Sequence, residues 1–171
     1  MESATLYEKQ RDQAMKNKAN WMVHDHQKYD EMLTECEMAA EMADWKDAVR
    51  LFNEFTHDLK LHMHMEDEVL YPLFEQKGAD QKHEITELHE EHEDLVRLLR
   101  DLASVIKTKN IDHFMDSLLP LHKAMNEHSQ HEETVFQSLE NDPILMRREE
   151  IMERLSALKK EDGHGPRDWG F

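Results

Sequence analysis

The sequence predicts an all-α protein, an up-down-up-down four-helix bundle with an internal two-fold repeat and a short C-terminal fifth helix. The 171 residues include only four Gly and four Pro, a composition that favours helices over turns. Apolar residues recur in alternating steps of three and four along four long segments, as in helices that share one core. Shifting the sequence so that His26 falls on His92 aligns the second half of this pattern with the first, which indicates a repeat. We call this shift the repeat offset.

The predicted helices follow one another with short connections, which favours antiparallel neighbours. Gly78 is expected to end the second helix, and Pro120 is expected to kink or break the fourth. Asp142 and Pro143 have the residue types of an N-cap and a first helical position, so a fifth helix is predicted after them. The five helices are predicted at about residues 5–42, 44–76, 80–109, 110–139 and 143–160, within a domain of residues 1–160 that a tail at 161–171 follows.

The charge of the chain restricts its partners. With 21 basic and 38 acidic residues the net charge is −17, so phosphate backbones and anionic membrane surfaces are repelled, and neither nucleic acid nor a membrane is an expected partner. No segment approaches the ~20 apolar residues that span a bilayer, and the N-terminal segment, Met1 to Asn20, lacks the apolar core of a signal peptide. Cys36 is the single cysteine, which excludes an internal disulfide and suits a reducing compartment. We therefore predict a cytoplasmic protein.

Six ionisable side chains occupy positions on the inward faces of these helices, where their neighbours are apolar. The repeat offset places the first three of them on the last three in order: His26, His62, Glu66, His92, His128 and Glu132. Burying a carboxylate without compensation costs several kcal/mol, and two buried carboxylates also repel one another. Metal cations remove both penalties, so the set predicts a metal site with its core at about residues 21–139.

The spacing also indicates how many ions the site holds. His-x-x-x-Glu places an imidazole and a carboxylate on one helical face, and facing helices then supply two ions from inside the bundle. Each ion would receive two imidazoles and share two bridging carboxylates. The alternative is a set of core polar residues paired with one another. Iron is the first expectation, and zinc or manganese would also suit these donors.

These motifs resemble the hemerythrin-like, HHE cation-binding domain family. The resemblance runs from about Trp21 to Leu139 and includes Asp-His on the first helix, Glu-His on the third and two His-x-x-x-Glu motifs, the first continued as Asp-Glu-Val-Leu-Tyr-Pro. It implies a non-haem di-iron centre that binds oxygen, nitric oxide or related molecules, or that handles iron. Oxygen-carrying members use five His and a different carboxylate arrangement, whereas this sequence has the four-His, two-Glu version, which argues against simple oxygen transport.

Other residues near the motifs allow alternative interpretations. His89 and His131 lie three residues from a predicted ligand, so either is a candidate fifth imidazole or an outer partner of the site. Asp25 and Glu91 precede predicted ligands and either hold imidazole N–H groups or are solvated surface residues, and the surface interpretation is preferred. Of two tyrosines that are candidates for lining the centre, Tyr29 is preferred over Tyr71 because it lies on the inward face one turn from His26.

Three functions fit the predicted centre. The first is binding or sensing of a small molecule such as oxygen or nitric oxide. The second is an enzyme that reduces nitric oxide or decomposes peroxide, and the third is storage or donation of iron. The sequence favours the first by a narrow margin and shows neither a redox partner domain nor a signalling domain. The apolar residues of the fifth helix would cap the bundle or form a homodimer contact.

Overall fold

The computed structural model describes residues 21–137 and three further residues, Glu153, Arg154 and Ala157. Several predicted segments lie outside the described residues. They are the helical residues before Trp21, the end of the fourth predicted helix, nearly all of the fifth with its predicted cap at Asp142 and Pro143, and the tail.

The described chain is helical, with four long helices, and the part of the chain that the structure describes contains no strand. The all-α prediction is confirmed. The elements are α1 (Trp21–Glu41), α2 (Trp45–Met65), a π-helical segment (Glu66–Leu70), α3 (Tyr71–Glu75), α4 (Ala79–Val105), a 3-10 turn (Ile106–Thr108) and α5 (Ile111–Gln137).

Local side chains and glycine explain where the helices begin and end. The Asp44 carboxylate accepts a hydrogen bond from the Asp47 N–H at 3.1 Å and caps α2, as expected of an N-cap residue. Asn110 does the same for α5 at 3.0 Å from the His113 N–H. Gly78, between α3 and α4, has φ +155°, a backbone conformation that side-chain-bearing residues rarely adopt.

The structure bears on two expectations about helix regularity. The second predicted helix is not a regular α-helix, because the π-helical segment interrupts it immediately after α2. The fourth is not broken at Pro120, since α5 continues through it. Pro120 and Asp116, whose carbonyl loses its helical donor, are both exposed, so solvent can satisfy that carbonyl.

Two apolar clusters enclose a polar layer. The larger cluster draws buried residues from α1, α2, α4 and α5, including Leu33, Phe55, Leu99 and Leu118. The smaller is formed by the end of α2, the π-helical segment, α3 and the start of α4. His92 lies on α4 between Leu88 of the smaller cluster and Leu95 of the larger one. The six predicted ligand residues therefore lie in the apolar interior, away from bulk water.

The inward faces predicted from the three-and-four spacing are confirmed wherever side chains are described, with Val135 partly exposed and the others buried. The up-down-up-down topology and the two-fold repeat stay predictions. None of the helices described is long and apolar enough to cross a membrane.

Candidate metal centre

The six predicted ligand residues converge at the centre of the described helices, and each is at most 7 % exposed. They form two groups of four, each with its ligand atoms within 4.8 Å of one another. The first group contains His26 and His62, the second contains His92 and His128, and both groups contain Glu66 and Glu132. Two imidazoles for each group, with both carboxylates shared, is the arrangement expected from the sequence.

Individual distances show how the carboxylates connect the groups. Glu66 presents Oε1 to His62 Nε2 and Oε2 to His92 Nε2, the latter at 3.0 Å. Glu132 Oε2 lies 2.8 Å from His128 Nε2 and 3.7 Å from His26 Nε2. Each glutamate therefore faces one imidazole of the first group and one imidazole of the second.

Each of the four imidazoles is held from behind by a carboxylate at Nδ1. The pairs are His26 with Glu133 at 2.9 Å, His62 with Asp25 at 3.2 Å, His92 with Asp67 at 2.9 Å and His128 with Glu91 at 2.8 Å. A carboxylate accepts from an N–H, so these contacts assign the proton to Nδ1. In the neutral imidazole, which is the form that binds a metal, the lone pair then lies on Nε2 and is directed inward, as in carboxylate–histidine–metal arrangements.

Asp25 and Glu91 are therefore not simple surface residues, and that interpretation of the sequence was wrong. Each is about one-third exposed, yet each reaches across to the imidazole of the following helix. The repeat offset places Asp25 on Glu91 and also places Asp67 on Glu133. The duplication of acids next to the ligands was the sequence signal for this role.

His89 and His131 lie outside the two groups of four and bind the same carboxylates from the outside. His89 Nδ1 is 2.9 Å from Asp67 Oδ1. His131 contacts Glu91 Oε1 at 2.6 Å through Nδ1 and Glu84 Oε2 at 2.8 Å through Nε2. These contacts favour the outer-partner interpretation over a fifth imidazole ligand.

Tyr71, the less favoured tyrosine, makes the closer contacts with the centre. It is fully buried, and its hydroxyl lies 3.3 Å from Glu66 Oε2 and 3.2 Å from His92 Nε2. Tyr29 lines the centre differently, with its ring packed edge-on against His62 at 5.2 Å between centroids. The preference for Tyr29 failed because it assumed a regular helix, whereas the Tyr71 N–H bonds to the Glu66 carbonyl five residues earlier in the π geometry.

The electrostatics of the protein groups alone are strongly perturbed. Burial lowers the pKa of His62, but Glu66 and Asp25 outweigh it and raise the pKa to about 10. The pKa of His128 rises to about 10 as well, since contacts with Glu132 and Glu91 outweigh its burial. Burial, and then the charge of Glu66, raises the pKa of Glu132. The pKa of Glu66 is held well below its usual range, because its imidazole neighbours outweigh the effect of burial.

Unsatisfied atoms test whether the residues fit a cation. Neither Glu132 oxygen accepts a hydrogen bond, although His128 Nε2 is only 2.8 Å from one of them, and His26 Nε2 is also without one. Buried polar atoms are almost always hydrogen-bonded, and an ionised carboxylate left unsatisfied is costly. A lone pair on imidazole nitrogen and carboxylate oxygens are all acceptors, so a cation satisfies them together. The residues fit metal ions.

A small cavity adjoins the first group. It has room for the centre of about one water-sized molecule, ≈ 10 Å³. Besides imidazoles of both groups, its lining includes Tyr29, Leu59, Met63, Leu95 and Met125. The cavity therefore lies where the polar layer meets the larger apolar cluster.

The chain matches a known protein family. The family model described as "Hemerythrin HHE cation binding domain" matches residues 17–139. This range covers all six predicted ligand residues and the four carboxylates behind them. No curated protein and no solved structure matches the chain.

Proposed function

The chain belongs to the hemerythrin HHE cation-binding domain family, and on this premise we propose that it holds two iron ions and binds or senses a small molecule such as oxygen or nitric oxide. His26 and His62 would hold one ion, His92 and His128 the other. Glu66 and Glu132 would bridge them. Bound iron would supply open coordination positions and electrons for capturing the small molecule.

The observation that supports two ions rather than one is the sharing of both carboxylates. Each group of four donors is complete by itself, and the groups have only Glu66 and Glu132 in common. A single ion in either group would leave two buried imidazoles of the other group directed at no cation. Two ions also neutralise the mutual repulsion of the buried carboxylates.

The cavity beside the first group supports small-molecule binding. Its size suits a diatomic molecule or a water, and most of its wall is apolar. A mostly apolar wall suits a small diatomic molecule better than a larger polar substrate. An enzyme acting on nitric oxide or peroxide, or a protein that stores or donates iron, is the alternative function for the same ligand set.

The remaining expectations about partners belong to this proposal. The acidic charge of the chain supports a protein without nucleic-acid or membrane partners, and a cytoplasmic location fits its single cysteine. Zinc or manganese is the alternative metal, because affinity for these donors does not by itself select iron.

The experiment that tests the proposal combines metal counting with an optical spectrum. The protein is loaded with ferrous iron without oxygen, freed of excess iron, and measured before and after oxygen is admitted. We expect two irons per chain and new visible absorption bands. Bands that disappear on degassing would favour binding or sensing, whereas lasting oxidation or release of iron to a chelator would favour the alternative functions.

Matched variants make the ligand assignment testable. Changing Glu66→Ala and Glu132→Ala together should abolish the two-iron state and leave the helical circular dichroism intact. The exposed Glu127, five residues before Glu132 on α5, provides the control, and Glu127→Ala should still bind two irons. Two irons in the double variant would show that the assignment of bridging carboxylates is wrong.

A further inference from the structure

We infer that the two cation positions are electronically unequal, because Tyr71, His89 and His131 weaken the donors of the second group. The inference rests on the di-iron function proposed above. Both groups have identical ligand types, so the residues that hydrogen-bond to the ligands are what gives the two groups different donor strength. An iron ion in the first group should then lose an electron more readily than an ion in the second.

Tyr71 acts on the carboxylate oxygen that faces the second group. Glu66 Oε2 lies 3.0 Å from His92 Nε2 and 3.3 Å from the Tyr71 hydroxyl, which donates to it. Glu66 Oε1, which faces His62, is the other oxygen. A hydrogen bond accepted by Oε2 withdraws charge from that oxygen, so Glu66 is a poorer donor towards the second group than towards the first.

His89 and His131 act on the second group from behind its imidazoles. Asp67 Oδ1 accepts from both His92 and His89 at 2.9 Å. Glu91 is shared through its two oxygens, with Oε2 accepting from His128 and Oε1 from His131. A carboxylate that accepts a hydrogen bond from a ligand imidazole increases the basicity of that imidazole. Sharing the carboxylate with a second N–H reduces this effect.

The carboxylates behind the first group are used differently. Within the described residues, Asp25 contacts the imidazole of His62 and Glu133 contacts that of His26, one imidazole each. Each of these two carboxylates therefore increases the basicity of one ligand imidazole of the first group without being shared. All three differences therefore act in one direction, and hydrogen bonding around the ligands is a recognised control of reduction potential.

The inequality is already encoded in the sequence. The three residues that distinguish the second group have no equivalent at the repeat offset, where Gln137 corresponds to Tyr71, Val23 to His89 and Met65 to His131. The six ligands and the four carboxylates behind them are duplicated, whereas these three residues are not. Each of these three departures from the repeat acts on a ligand of the second group.

A redox titration tests the inference. Di-ferrous protein is oxidised stepwise with ferricyanide, which accepts one electron at each step, and electron paramagnetic resonance measures how much of the chain holds one ferrous and one ferric ion. The yield of this mixed state gives the comproportionation constant, which rises as the two positions become less alike. Metal content is counted in every sample.

The discriminating variants are Asp25→Asn and Glu91→Gln, at positions that the repeat offset makes equivalent. The first weakens the stronger group and should lower the comproportionation constant several-fold. The second weakens the weaker group and should raise it. His131→Leu leaves Glu91 to His128 alone and should lower the comproportionation constant. This variant serves as the test if Asp25→Asn fails to fold. His122→Leu on the same helix, where the imidazole pairs with Glu37 at 3.4 Å, is the control and should not change the constant.

Each outcome decides a different claim. Opposite changes for Asp25→Asn and Glu91→Gln support unequal positions. A centre with equal positions would respond to both variants with an increase, and that result, with two irons bound, would overturn this inference and leave the proposed function intact. Wild-type protein that binds no iron pair would overturn both.

Discussion

Replacing Glu132 with glutamine should have opposite effects on stability without and with metal. In protein treated with a chelator, Glu132 is a fully buried carboxylate whose oxygens accept no hydrogen bond. Burial and the charge of Glu66 raise its pKa, so ionising Glu132 costs the folded protein stability. Glu132→Gln removes the charge at constant size and should stabilise the chelated protein by about 1–3 kcal/mol, the usual cost of leaving a buried acceptor without a hydrogen bond.

With ferrous iron present the order should reverse. Binding stabilises the folded state by about 4.1 kcal/mol at a free metal concentration about 1,000 times the dissociation constant. The neutral amide of the variant is a poor bridging ligand, so most of this stabilisation should be lost. Wild type should therefore be the less stable protein in chelator and the more stable one in iron.

Urea unfolding without oxygen measures both free energies, and Glu127→Gln on the exposed face of α5 is the control, expected to change stability by less than about 0.5 kcal/mol in either condition. If Glu132→Gln destabilised the chelated protein by more than ~1 kcal/mol, the contact with His128 would have to outweigh burial, and the argument for an unsatisfied carboxylate would fail.

Two further predictions follow from the site. Chelated wild type should lose stability as pH rises from 6.5 towards about 10. His62 and His128 have folded pKa values of about 10, and the stability gained by a raised pKa is lost as pH passes through the folded value. Urea midpoints that rise over this pH range would contradict the prediction. Asp67→Asn and Glu133→Gln should each lower iron retention against a chelator by roughly 10–100-fold. Asp94→Asn is the control and should not lower it, since the exposed Asp94 carboxylate pairs with Arg97. Equal loss of iron in all three variants would indicate a general effect of charge.

Much of the site was predictable because a regular helix obeys simple arithmetic. The steps of three and four identified the inward faces, and polar residues on an inward face needed an explanation. The structure brings all six together in the interior. The repeat offset contributed independently, since it selected four histidines out of 13.

The same arithmetic explains what the sequence did not predict. In a regular α-helix, residues five apart differ by about 140° around the axis, which would direct Tyr71 away from Glu66. The π-helical segment inserts an extra residue into one turn and directs both side chains to the centre. No sequence pattern in the chain marks the π turn. Likewise, spacing along a helix did not indicate that Asp25 and Glu91 reach the imidazole of a neighbouring helix.

The carboxylates behind the imidazoles connect the helices in a closed ring, which gives the centre a mechanical role. Asp25 links α1 to α2, Glu91 links α4 to α5, and Glu133 links α5 back to α1. Asp67, in the π-helical segment that continues α2, completes the ring by holding His92 of α4.

Because each of these acids is next to a ligand on its own helix, moving one helix displaces its ligand and releases the imidazole of the next. The Nε2 atoms are therefore positioned by the packing of all four helices together, before any ion binds. Loss of one metal ligand leaves the hydrogen bonds between the helices in place. Loss of one of the four acids removes a hydrogen bond that connects two helices. Single substitutions among the four acids should accordingly weaken both groups, by different amounts.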